Sequence, residues 1–335
     1  MSSSQSTEST QTETLRFGQA LNRALADAMR ADDKVFLMGE DIALAGGPFG
    51  VTRKLLDEFG ERRVRDYPIA EASMVNLAVG AALGGYKPVV EIMFMDFCTL
   101  AMDALVNQAA KAHFMFGEQG PVPMVLRTPH GGGLNAGPQH SQCLEAWFAH
   151  TPGLIVVCPS NATDAYGLLR SAINNPNPVV FVENKRLYSG KGEFPADPQP
   201  IEIGKARTAR TGNDLTIVTY GNTVHLAEQV ANQRAEQNID IEIIDLRSLQ
   251  PWDETAVLAS LSKTHRLIVL HEATEAFGIG AEIAARMADI GFDELDAPII
   301  RVGAPFMPVP YSVALEAEFG PNAEQLNAAI NRLML

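Results

Sequence analysis

Three short segments of this 335-residue chain combine residue types that do chemistry with neighbours that control their surroundings. In Tyr67-Pro-Ile-Ala-Glu-Ala-Ser, Glu71 leads into the strongly apolar stretch from Met74 to Leu83. A carboxylate there either caps a helix N-terminus or is held partly out of water, where its proton affinity rises enough for acid–base work. In Glu91-Ile-Met-Phe-Met-Asp-Phe, Phe94 and Phe97 close an apolar run and open the next helical segment. They are either core packing or an aromatic platform for a heterocycle, whose faces and edges favour stacked contacts. The third segment, Arg127-Thr-Pro-His-Gly-Gly-Gly-Leu-Asn-Ala-Gly-Pro-Gln-His-Ser-Gln, reads as a Gly-rich loop carrying both His130 and His140. Its glycines permit close backbone approach, and an imidazole near neutrality donates or accepts a proton.

Two other chemistries are excluded by spacing. His130-Gly-Gly-Gly is similar to the oxyanion loop of lipases, but no G-x-S-x-G elbow supplies a nucleophile. Gly278-Ile-Gly-Ala-Glu-Ile lacks the third glycine of a dinucleotide fingerprint and is separated from the preceding apolar run by Thr274-Glu275-Ala276, so it reads as tight helix–sheet packing. Cys98, Cys143 and Cys158 form no CxxC pair and read as buried free thiols.

The elements that must position these residues alternate. Apolar residues from Leu15 to Met29 recur at helical spacing and feed an apolar strand from Val35 to Met38. Strands at Pro88–Ile92, Met124–Leu126, Leu154–Val157 and Val179–Val182 are separated by helices over Ala72–Leu83, Thr99–Phe116 and Ala162–Ile173. This is the pattern of a parallel sheet covered on both faces, whose ligands bind beyond the carboxyl ends of the strands. Periodicity fades into Gly, Pro and charge between Lys185 and Pro200, then resumes in a smaller α/β unit. Its strands fall at Leu215–Tyr220, Ile241–Asp245, Leu267–His271 and Ile299–Val302, with helices over 222–236, 253–262, 278–290 and 321–333. The expected organisation is therefore a disordered polar tail over 1–14, a first domain over 15–190, a linker over 191–204 and a second domain over 205–335. A formal net charge of −14 opposes binding to nucleic-acid phosphates. No apolar run reaches the roughly 20 residues of a bilayer span. The polar N-terminus has neither an apolar signal core nor an Arg-rich transit composition, so the expected location is the cytoplasm.

Met38-Gly-Glu-Asp, Pro68-Ile-Ala-Glu71, Gln139-His140-Ser-Gln, Asp164-Ala-Tyr-Gly-Leu-Leu, Asn177-Pro-Val-Val, Asp245-Leu-Arg and Gly280-Ala-Glu-Ile occur in order from about residue 15 to the C-terminus. Taken together they closely resemble the β subunits of the E1 component of 2-oxo acid dehydrogenase complexes. That resemblance implies a transketolase-like α/β fold, with a pyrimidine-binding first domain for thiamine diphosphate. It puts Glu71 on the cofactor-activating glutamate, whose carboxyl group bonds the aminopyrimidine ring. Phe97 falls on the ring that packs against that heterocycle, with Met93 and Phe94 shaping the same wall. His140 falls on the histidine that acts when the acyl group passes to lipoamide, and His130 is assigned to the site entrance.

The resemblance also implies what this chain lacks. No Gly-Asp-Gly followed by paired asparagines is present, so the diphosphate and its Mg²⁺ are expected on a separate E1 α subunit in an α2β2 heterotetramer. A K⁺ held by backbone carbonyls in the family would correspond to Met124, Ala172, Asn175 and Asn177, although Pro176 departs from the pattern. The expected activity is that of a lipoamide-acylating oxidoreductase that decarboxylates pyruvate and serves an E2 lipoyl acyltransferase. Branched-chain 2-oxo acids, acetoin and a non-catalytic β-like scaffold are the alternatives. A homodimeric synthase is disfavoured by the missing diphosphate motif.

Overall fold

The computed structural model describes residues 12–117 and 119–334. The first domain is built on a seven-stranded sheet ordered Ser248–Gln250, Ile155–Val157, Val179–Asn184, Val125–His130, Lys87–Glu91, Val35–Gly39, Val64–Asp66. All neighbours are parallel except the first pair. Period-two alternation sorts the strand side chains onto two faces. Leu37, Val89, Val125, Val157, Val179 and Phe181 point to one. Met38, Val90, Leu126, Val156, Val180 and Val182 point to the other.

The first face is covered by helices Phe17–Ala31 and Ala162–Asn174, which pack on each other. In the former, Ala20, Leu21, Ala24, Leu25, Ala28 and Met29 recur three and four apart and form one buried stripe. Each fully buried Leu there contributes roughly 1.5–3 kcal/mol through the water it sheds. Helix Glu71–Leu83 and the segment after Met95 cover the second face. That core is continuous with Tyr220, Leu246, Ile283 and Met287 of the second domain, so the two domains share one apolar interior.

The second domain is a five-stranded sheet ordered Ile300–Ala304, Leu267–Thr274, Leu215–Thr219, Ile241–Asp245, Arg207–Arg210, parallel except for the last strand. Helices Thr223–Ala235 and Ala323–Leu333 pack on one side of it. The architecture is thus the expected one, a mostly parallel sheet with helices followed by a smaller α/β domain. Among the described residues no helix is long and apolar enough to cross a membrane.

Three local expectations are corrected. Residues 12–14, read as tail, belong to strand Thr12–Arg16, which pairs antiparallel with Lys191–Pro195, itself read as linker. Ladder bonds between two polar segments need no apolar alternation, so composition conceals them. The rest of the expected tail, residues 1–11, lies outside the described residues. The helix expected over Thr99–Phe116 is a 3₁₀ segment Met95–Ala101, a π segment Ala104–Ala109 and a short α-helix Ala110–Met115. Ala101, Leu105, Ala109 and Ala112 of these segments are all buried in the core. Finally, Ser248–Gln250, in the part of the chain assigned to the second domain, adds an edge strand to the first domain's sheet.

Candidate active site

The carboxyl ends of Val35–Gly39 and Lys87–Glu91 open onto the N-terminus of helix Glu71–Leu83. Glu71 is the first residue of that helix and is buried. The flanking Ala70 offers no side chain to cap it. Glu40, one residue past its strand, is buried too, and its Oε1 has no hydrogen-bond partner among the described residues. Burial first, then the charges of Glu71 and Asp41, raise the Glu40 pKa above the ordinary carboxylate value. Two carboxylates thus share a dry corner, an arrangement that favours retention of the Glu40 proton.

Beside this corner three rings meet edge to face. Phe94 and His140 lie 4.9 Å apart between centroids, Phe97 and His140 5.3 Å, and Phe94 and Phe97 6.2 Å. Met93, like these rings, is half-buried. Cys98 follows Phe97, and its thiol pKa is pushed up to about 12, chiefly by burial and further by the charges of Asp96 and Glu71. It therefore stays protonated, and the influence of Glu71 on it ties the carboxylate corner to the aromatic wall. Glu71, Met93, Phe94, Phe97 and His140 accordingly belong to one locality. Phe49 extends the wall, 6.3 Å from Phe94 and stacked on Tyr188 at 4.4 Å. No local signal marked Phe49, whose partners are distant in sequence.

His130 is corrected. It is the last residue of strand Val125–His130 and is only 2 % exposed, so it cannot line an entrance. Its Nδ1 lies 3.3 Å from Glu145 Oε2, and its Nε2 lies 3.8 Å from Cys158 Sγ. The other oxygen of Glu145 accepts a 2.7 Å bond from the Tyr220 hydroxyl of the second domain. Burial alone would raise Glu145, but His130 and Tyr220 hold its pKa below the ordinary value. Glu145, which His130 contacts, carries the link to the second domain through Tyr220. His140, only ten positions on, is half-buried against the wall.

Loop 131–142 between them is held by residues that carried no local signal. Gly132 N–H donates to Glu272 at 2.7 Å and Gly133 N–H to Glu316, both carboxylates belonging to the second domain. At the other end Lys185 donates to the carbonyl of His140, and Gln142 donates to Asp96 through Nε2 at 2.8 Å. A cavity of about 620 Å³ opens between this loop and the second domain, lined by Ser141, Cys143, Trp147, Arg186 and Met307 among others.

The four positions matched to a K⁺ site cluster elsewhere, at the amino ends of the strands. There the Met124 carbonyl accepts from Val179 N–H at 3.0 Å and the Ala172 carbonyl from Asn175 N–H at 3.2 Å. Asn175 Oδ1 accepts from Asn177 N–H at 2.9 Å, and the Asn177 side chain meets His113 at 2.8 Å.

Residues 13–191 match the transketolase pyrimidine-binding domain and residues 204–326 the transketolase C-terminal domain. The chain is 44 % identical over 324 residues to the acetoin:2,6-dichlorophenolindophenol oxidoreductase subunit beta of Bacillus subtilis, covering 93 % of this chain and 95 % of that protein. It is also 44 % identical over 322 residues to the pyruvate dehydrogenase E1 component subunit beta of Rhizobium meliloti, covering 96 % and 70 %. The same subunit of Rickettsia felis is 42 % identical over 315 residues, covering 94 % and 97 %. A solved split-gene transketolase, an inactive beta4 tetramer, shares the fold with a TM-score of 0.78 at 20 % identity, covering 96 % of this chain and 98 % of its own.

Proposed function

Because this chain belongs to the transketolase-like E1 β-subunit family, we propose that it forms the β half of a thiamine-diphosphate-dependent dehydrogenase E1, active when joined to an E1 α subunit in an α2β2 assembly. The observation that carries this reading is the convergence of a buried carboxylate pair, Glu71 and Glu40, with the ring wall of Phe94, Phe97 and His140. The fit to an aminopyrimidine is chemical. Glu40 leaves a buried oxygen without a partner, Glu71 can share a proton with a ring nitrogen, and the aromatic faces accept a flat heterocycle.

When bound, the cofactor supplies the nucleophilic carbon that adds to the substrate carbonyl and the electron sink for the bond that then breaks. Glu71 holds the proton at the pyrimidine, and its exclusion from water keeps that proton shared. Met93, Phe94 and Phe97 orient the ring and keep water from it. His140, at the edge of the wall, protonates the departing sulfur of an incoming dithiolane as the acyl group transfers to E2 lipoamide. This chain's sequence lacks the diphosphate motif, so Mg²⁺ and the diphosphate are assigned to the α subunit. The carbonyls of Met124, Ala172, Asn175 and Asn177 are assigned a K⁺ that stabilises the far end of the sheet. The assembly is assigned to the cytoplasm.

Pyruvate is the first substrate. Acetoin is a second reading, favoured by the Bacillus subtilis relative. The deciding experiment is co-purification of the tagged chain with its α partner, then assays with thiamine diphosphate and Mg²⁺ on pyruvate, branched-chain 2-oxo acids and acetoin. Turnover of one of them by the complex is expected and names the substrate. An α-free chain with no turnover on any would leave a scaffold.

A further inference from the structure

Loop 131–142 is the only covalent route from strand Val125–His130 to His140, and its glycines have a shared reason. A Cβ on Gly131 would lie 2.7 Å from Glu272 Oε1, one on Gly132 2.7 Å from Glu316 Oε1, and one on Gly133 2.7 Å from the Arg186 side chain. Gly131 and Gly133 also take φ values of +84° and +106°, which favour glycine. The glycine run therefore exists so that carboxylates from the second domain can reach the loop's backbone N–H groups.

The loop's far end is gripped from the first domain. Lys185, 5 % exposed, donates to the His140 carbonyl and lies 5.3 Å over the Phe94 ring. Asp96 accepts from the backbone and side chain of Gln142. The charges of Asp96, Glu272 and Glu316 all act on the Lys185 ammonium, opposing the effect of its burial. Glu272 is itself oriented by Asn184 Nδ2 at 2.6 Å. One buried cation and three carboxylates thus tie down the same loop, Glu272 and Glu316 at its glycine end and Lys185 and Asp96 at its His140 end.

We propose that Lys185, with Asp96, Glu272 and Glu316, is a set of positioning residues that fixes loop 131–142 and so aims the His140 ring. The inference rests on the reading of His140 as the group that serves acyl transfer. Their bonds go to the loop, so they act through His140. A charge-assisted hydrogen bond lost from such a set corresponds to roughly a tenfold to hundredfold change.

The test is a double-mutant cycle in the assembled αβ complex, reading kcat for acylation of a free lipoyl domain. Lys185→Met in the wild-type background is expected to lower that rate roughly tenfold to a hundredfold. In the His140→Ala background the same substitution is expected to change it by less than about twofold, because the ring it aims is gone. Equal losses in both backgrounds overturn the positioning role while leaving His140 its function. Wild-type acylation by His140→Ala alone overturns both. Should Lys185→Met fail to assemble, Glu316→Ala reads the same coupling, since it cuts one anchor on the short helix Val313–Phe319 at the rim.

Discussion

Replacing His140 by phenylalanine separates packing from proton transfer. The imidazole makes two edge-to-face contacts, at 4.9 Å with Phe94 and 5.3 Å with Phe97. Each such pair contributes about 0.5–1.5 kcal/mol beyond burial, so His140→Ala gives up roughly 1–3 kcal/mol of order in the wall. Phenylalanine keeps a ring in the same place and retains most of that. Neither variant holds a transferable proton, and loss of a positioned acid lowers a rate by about 10²–10⁴, or roughly 3–5 kcal/mol of barrier. The assay compares, in one preparation of the αβ complex, acylation of a lipoyl domain with oxidation of substrate by an artificial dye that bypasses lipoamide. Both variants are expected to lower the ratio of the two rates by about a hundredfold or more. The thermal midpoint should fall only for alanine. If His140→Phe acylates the lipoyl domain as fast as the wild type, the ring is packing alone and the proton-donor role is wrong.

Three further outcomes follow from the geometry. Glu71→Gln keeps the size of the buried side chain but cannot exchange its proton, so deuterium exchange at C2 of bound thiamine diphosphate should slow by about a hundredfold or more; exchange at the wild-type rate would remove Glu71 from acid–base work. Glu40 has a raised pKa in the fold, so the folded chain holds that proton more tightly than the unfolded one. Stability is therefore full at low pH and declines as pH rises from the unfolded value of about 4.3 through the raised one. Glu40→Gln should accordingly raise the thermal midpoint at pH 8 and change it little at pH 4, and an equal shift at both would contradict the assignment. Arg127 is buried and donates to Glu183 at 2.7 and 2.8 Å and to Glu91 at 2.5 Å. Arg127→Met leaves two buried carboxylates unpaired and should cost about 3–5 kcal/mol, whereas adding Glu91→Leu and Glu183→Leu should recover much of it; denaturant midpoints of the assembled complex measure both.

What the chain's own pattern determined is its layered core. Val89 and Val90, Val125 and Leu126, Val179 and Val180 are apolar in succession because both faces of their strands are covered, and such runs are visible in a window of a few residues. Glu71, Phe97 and His140 were legible because each sits in a short string of distinctive residues, and the strings around Glu71 and His140, in order with five others, carried the family. Their residue types alone left cap against acid and packing against platform undecided; burial beside Glu40 and the meeting of three rings support the proposed acid and platform. Contacts between distant segments were beyond such reading. Thr12–Arg16 finds its partner in Lys191–Pro195 through backbone bonds that any side chain permits. His130 and His140 look alike in one loop, yet one is buried at a strand end against Glu145 and the other faces the ring wall, a difference created by where the strand stops. Lys185, Glu272 and Glu316 converge on a loop that is 45 to 183 positions away along the chain. Local periodicity reports which face of an element is buried; only the packed tertiary structure decides which distant charges that burial brings together.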